Sequence, residues 1–235
     1  RDSLNPFGLG SMGIYLSPEF VDIDDDGDID SFIGSEHGSM FFENTSMASI
    51  PYFGGGMAFG SSNVMGGYNR TPVFVDIDGD GDLDAFVGKQ NYYGESDGTI
   101  FFENTGTANR PISAAPVLNP FGLSDTGGYA IFTLVDIDND DDLDAFASDD
   151  VGNNLFLENT GTTNNPAFSS PVTNPFGLPS HVNTYANTPH FVDIDGDGDL
   201  DTSVNNVFFE NVGTASNPMF AAKEVNPFDN NYFVD

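Results

Sequence analysis

The sequence predicts an all-β chain, a β-propeller-like array of four repeats with three to four antiparallel strands each and almost no helix. An acidic ten-residue phrase recurs four times, as VDIDDDGDID at 21–30, VDIDGDGDLD at 75–84, VDIDNDDDLD at 135–144 and VDIDGDGDLD at 192–201. Starts at 21, 75, 135 and 192 lie 54, 60 and 57 residues apart, the length of a supersecondary unit and not of a low-complexity tract. Between the phrases, short β-branched and aromatic runs are bounded by Gly, Asn, Ser and Asp, and no helical 3.6-residue period of useful length occurs.

Within a unit, a run such as Val73-Phe74-Val75 enters the acidic loop and Ala85-Phe86-Val87 leaves it. Ile100-Phe101-Phe102 then reads as a third strand, and a Pro-led segment as the edge, where a missing N–H is tolerated. The third strand carries its own echo: MFFENT at 40–45, IFFENT at 100–105, LFLENT at 155–160 and VFFENV at 207–212. A Pro and aromatic pair follows at Pro51 and Phe53, Pro166 and Phe168, and Pro218 and Phe220, with Pro111 alone in the second unit. The phrase NPFGL at 5–9, 119–123 and 174–178 marks unit ends and degrades to NPFD at 226–229. One repeat domain over 1–235 is expected, with units near 4–53, 54–118, 119–173 and 174–225. Residues 226–235 read as a partial fifth unit or a strand-exchange tail, which would complete the first blade, add to a neighbouring subunit, or mark a fragment.

The charge balance, 37 acidic against 5 basic residues and a net charge of −32, argues against nucleic acid and anionic membranes as partners. Cations are the natural counterparts. With 23 Phe and 8 Tyr the chain has the material for a core, so acidity does not imply disorder. Without cysteine there are no disulfides and no thiolate sites. No 18-residue apolar run occurs, so membrane insertion is not expected, and a soluble, processed form is.

The acidic loops have the chemistry of calcium sites. In the second, Asp76, Asp78, Asp80 and Asp84 stand at positions 1, 3, 5 and 9, with Gly81 at position 6 and Asp82 at position 7 offering its carbonyl. Calcium takes six to eight oxygens at flexible angles, and Gly permits the sharp turn. The first loop repeats this with Asp22, Asp24, Asp26, Asp28 and Asp30 around Gly27, and the fourth with Asp193, Asp195, Asp197, Asp199 and Asp201 around Gly198. The third holds Asp136, Asp138, Asp140, Asp142 and Asp144 but has Asp141 in place of the glycine, a residue that tolerates the left-handed region. The bidentate Glu that an EF-hand carries at position 12 is absent, since Ile33, Val87, Ala147 and Val204 stand there. Weak sites are therefore expected, of about 10⁻⁴ to 10⁻³ M, which fill only outside the cell. About four Ca²⁺ are expected, one per loop, acting as folding cofactors for 22 crowded acidic residues.

These phrases resemble the FG-GAP/VCBS repeat family, in which a D-x-D-x-D-G-x-x-D loop precedes an FFENTGT phrase like that at 101–107. The resemblance covers essentially the whole chain. It implies integrin-α-like propeller blades with calcium between adjacent strands, in secreted or surface proteins that commonly serve adhesion. A bacterial source is expected. Two functions follow as expectations: an adhesion or binding module for a surface protein or glycan, or a subunit of a calcium-stabilised filament or surface layer assembled head to tail.

Catalysis is not expected. His37, His181 and His190 occupy unrelated repeat positions, and no serine-nucleophile motif is present. The phenylalanine of NPFGL is expected to pack between blades rather than contact a partner. Asn44 and Asn69 lie in N-x-S/T sequons, weak markers of glycans here.

Overall fold

The computed structural model describes residues 17–35, 38–45, 53, 57–59, 72–89, 98–123, 132–149, 151–180, 188–204 and 207–222. The phrases at 5–9 and 226–229, the tail 226–235, and His37, Pro51, Asn69 and His181 lie outside them.

Each repeat folds into a four-stranded antiparallel meander. The first sheet is β1 (Ser17–Val21), β2 (Asp30–Ser35), β3 (Gly38–Phe42) and β4 (Met57–Phe59). The second is β5 (Pro72–Val75), β6 (Asp84–Lys89), β7 (Gly98–Phe102) and β8 (Val117–Leu118). The third is β9 (Phe132–Val135), β10 (Asp144–Ser148), β11 (Asn154–Leu157) and β12 (Val172–Thr173). The fourth is β13 (His190–Val192), β14 (Asp201–Val204), β15 (Val207–Asn211) and β16 (Phe220–Ala222). Among the described residues the only helical turns are short 3-10 turns at Pro120–Gly122 and Pro175–Gly177. The first sheet runs past residue 53, because β4 pairs with β3 through Met40 and Ala58.

The chain divides into two compact units, Arg1–Ile131 and Phe132–Asp235. In the first, Phe32 of the first sheet stacks on Phe74 of the second with ring centres 4.2 Å apart. In the second, Ile137, Phe146 and Phe156 pack with Val204, Phe209 and Phe220, joining the third and fourth sheets. The described residues of the middle strands β7, β10 and β11 are buried at every position, because both of their faces meet protein. By contrast β8 and β12 are exposed two-residue edges, too short to template another chain well.

The NPFGL phrases at 119–123 and 174–178 are specialised caps. Asn119 and Asn174 adopt left-handed φ of 49° and 50°, and Phe121 and Phe176 follow at 55°. Asn119 donates its amide to the carbonyl of Thr99 at 2.7 Å and accepts the Thr99 amide on Oδ1 at 2.9 Å. Asn174 does the same with Asn154, at 2.6 and 3.0 Å. This turn lays Phe121 across Phe101 at 5.0 Å and Phe176 across Phe156 at 4.9 Å. Both rings pack, and Phe176 also meets Phe220 of the next sheet at 6.4 Å.

Candidate cation centres in the aspartate loops

All four loops join the first and second strands of a sheet. Register pairs the residue before each loop with its ninth residue: Val21 with Asp30, Val75 with Asp84, Val135 with Asp144 and Val192 with Asp201. An eight-residue excursion between paired residues must turn back sharply, and two left-handed residues do this. Position 6 is one, with φ of 91°, 94° and 98° at Gly27, Gly81 and Gly198, and 71° at Asp141. Position 4 is the other, at Asp25, Gly79, Asn139 and Gly196. Only position 6 was singled out in the sequence, although each position-4 residue is of a type that tolerates positive φ.

The first aspartate organises the turn. Asp76 accepts the Asp80 amide on Oδ1 at 3.1 Å and the Gly81 amide on Oδ2 at 3.0 Å. Asp22 and Asp136 repeat both bonds with positions 5 and 6 of their own loops. In the third loop the position-6 donor is the Asp141 amide, at 3.1 Å, so the missing glycine leaves the loop geometry intact. Asp193 differs slightly, taking the Gly196 amide at 2.7 Å on Oδ1 and the Gly198 amide on Oδ2.

Positions 1, 3 and 5 converge. In Asp22, Asp24 and Asp26, in Asp76, Asp78 and Asp80, in Asp136, Asp138 and Asp140, and in Asp193, Asp195 and Asp197, one carboxylate oxygen from each residue lies within 4.8 Å of the others. Like charges gathered this closely in a partly desolvated turn repel each other. Burial, followed by the neighbouring carboxylates, holds Asp24, Asp78 and Asp138 at position 3 above the usual carboxylate range.

The side chains at positions 7 and 9 are not part of these groups. Asp82 and Asp142 at position 7 are buried, Asp199 is half-buried, and each has an Oδ1 without a hydrogen-bond partner. Burial raises Asp82 and Asp199, and pushes Asp142 up to about 6. Asp28, at the same position of the first loop, is half-buried and donates its amide to Asp26. At position 9, Oδ1 of Asp30, Asp84, Asp144 and Asp201 accepts the amide of Asn44, Asn104, Asn159 or Asn211 at 2.7–2.8 Å. These asparagines are those of the FFENT echo, so position 9 ties the loop to the third strand. Burial pushes Asp30 up to about 6 and Asp84 and Asp144 up to about 7. Oδ2 of Asp84 and of Asp144 is buried without a partner.

The donor set fits a hard cation. It is all oxygen, carboxylate-rich, and flanked by buried unpartnered oxygens that a divalent ion would satisfy. The sequence reading missed one contributor, the glutamate of the same echo. Glu43 bears electrostatically on Asp24, Glu103 on Asp82 and Glu158 on Asp138. Its signal was the hairpin register, in which Ser31 faces Phe42 and Ala85 faces Phe102, placing the next residue beside the loop.

The asparagine of the echo has a second task. Oδ1 of Asn159 accepts the amides of Gly161 and Ala167 at 3.1 and 2.9 Å, and closes the turn in which Thr162 and Asn165 bridge. Asn104 and Asn211 do likewise. Asn44 is buried and donates Nδ2 to the carbonyl of Ile29, so in the folded protein its sequon is not an accessible glycan acceptor.

No known family profile and no curated protein matches the chain. Among solved structures it is similar to that of a lectin from Agrocybe aegerita described as specifically recognising non-reducing terminal N-acetylglucosamine. The identity is 16%, the TM-score 0.53, and the match covers 89% of this chain and 52% of that one, so this chain spans about half the length of its neighbour. At that identity the likeness is one of fold alone, an all-β propeller-type array of four-stranded blades.

Proposed function

We propose that the chain is an extracellular calcium-binding repeat module of the FG-GAP/VCBS type, non-catalytic and serving adhesion or ligand recognition. The observation that carries this reading is the fourfold convergence of position-1, -3 and -5 carboxylates on one backbone turn. Calcium suits these loops better than magnesium, because the donors are many, flexible in angle and carried on one short turn. Bound calcium would offset the burial and the mutual repulsion that raise Asp24, Asp78 and Asp138 at position 3 and Asp82, Asp142 and Asp199 at position 7. Through the position-9 link to Asn44, Asn104, Asn159 and Asn211, it would also stiffen the turn beyond the third strand of each sheet.

Carbohydrate is the first ligand class to test, since the solved neighbour is a lectin. Titration calorimetry with calcium and with magnesium, alongside thermal melts with and without EDTA, tests the metal reading. Uptake of about four calcium ions with a higher melting temperature is expected, and no calcium heat with an unchanged melt refutes it. A glycan array probed in calcium tests the ligand class separately.

A further inference from the structure

We propose that the first and second cation centres bind calcium cooperatively, each favouring the other through the turn at 104–112, which follows β7 and is bonded to both loops. The inference rests on the calcium reading above and adds how two of its sites regulate each other. The second repeat reaches across to the first at this turn: Asn109 donates Nδ2 to the carbonyl of Asp24 at 3.2 Å and to that of Asp25 at 3.4 Å. These are positions 3 and 4 of the first loop. Asp24 gives its carboxylate to the first centre, and Asp25, at a φ of 54°, is one of the two left-handed residues that turn the loop back. Asn109 therefore grips the peptide groups whose orientation sets the geometry of that centre.

The same turn is fixed to the second loop. Oδ1 of Asp84 accepts the Asn104 amide at 2.7 Å, and Oδ1 of Asn104 accepts the amides of Gly106 and Ile112 at 3.0 and 2.9 Å. Thr107 and Arg110 close the tip with two backbone bonds, of 3.3 and 2.8 Å. No side chain fits at Gly106, where a Cβ would strike the Arg110 carbonyl, so the turn is closely packed and shifts as one piece. Oδ1 of Asp82 and Oδ2 of Asp84 are buried without hydrogen-bond partners, and a divalent ion at the second centre would draw both towards itself.

Cooperativity follows from shared ordering. An ion at the first centre fixes the Asp24 and Asp25 carbonyls, which holds Asn109, and with it the turn, in the position that Asp84 bonds. An ion that then enters the second centre orders fewer groups and binds more tightly, and by linkage the effect is equal in the other direction. The third repeat uses a loop carbonyl in the same way, where Thr163 donates its hydroxyl to the Asp141 carbonyl at 2.8 Å within its own repeat. Asn109 extends that kind of contact to the preceding repeat. It is exposed, so its side chain can be removed without opening the core. One hydrogen bond of this kind supports a coupling of about three- to tenfold in affinity.

Site-resolved NMR titration of the full chain with calcium tests the inference, because the amides of Gly27 and Gly81 report the first and second loops separately. Asp80→Asn removes a position-5 ligand from the second loop and is expected to raise the calcium midpoint read at Gly27 by about three- to tenfold. Asp26→Asn should raise the midpoint at Gly81 by the same factor. Both cross-effects should vanish in Asn109→Ala, and equally in Asn109→Leu, the near-isostere without the donor, at an unchanged melting temperature in EDTA. Calcium binding at both glycines with no cross-effect overturns the inference alone. Cross-effects that survive the loss of Asn109 also overturn it, because they trace to the removed charge and not to the turn. No calcium response at either glycine overturns the calcium reading as well.

Discussion

Replacing Asp144 by Asn separates the two roles of the position-9 carboxylate. The side chain is 1% exposed, its Oδ1 holds the Asn159 amide at 2.7 Å, and its Oδ2 has no partner. Asparagine keeps the Oδ1 acceptor and removes the buried charge. Burial moves this carboxyl from 3.8 to about 7, which at about 1.4 kcal/mol per unit is roughly 4 kcal/mol, and about half that after solvent screening at a loop. A raised folded-state pKa means that the fold holds the proton more tightly than the unfolded chain does. The resulting stabilisation is complete below about pH 4 and is lost as the pH rises through about 7. Without metal, Asp144→Asn should therefore stabilise the protein by about 2 kcal/mol above neutral pH, with the advantage shrinking towards acid. In millimolar calcium the advantage should shrink to about 0.6 kcal/mol, because a site lost at a dissociation constant near 0.1 mM forfeits about 1.4 kcal/mol of linkage. Urea unfolding of both proteins, in EDTA and in calcium across that pH range, reads both effects. An advantage as large in calcium as in EDTA, or one independent of pH, refutes the reasoning.

The two kinds of glycine should behave differently under urea unfolding. A Cβ on Gly161 would lie 2.3 Å from the Asn165 carbonyl oxygen and 2.7 Å from the Ala167 nitrogen, so Gly161→Ala should break the turn and cost about 2–3 kcal/mol. A Cβ on Gly81 meets open space, and Gly81→Ala should cost only the left-handed penalty of about 1–2 kcal/mol. Asp141→Gly, which relieves the one substituted position 6, should preserve calcium binding and gain at most about 1 kcal/mol in a thermal melt. Asn119→Ala removes the acceptor for the Thr99 amide and the residue suited to φ of 49°, and should destabilise by about 1–2 kcal/mol.

What the sequence by itself determined was the unit and its local turns. Four near-copies of one phrase named the repeats, the short β-branched and aromatic runs named the strands, and alternating aspartates around a left-handed position named the loops. These features are legible because they are set by residues adjacent in the chain, where side-chain type and φ decide conformation directly. Tertiary structure decided which carboxylates converge. Positions 1, 3 and 5 gather, while position 9 turns to an asparagine amide 10–20 residues away. It also placed Glu43, Glu103 and Glu158 beside the loops, buried the sequon at Asn44, and opened an aromatic cleft between two sheets. Each of these depends on strand register or on packing between sheets, and contacts between distant residues leave no local pattern to read.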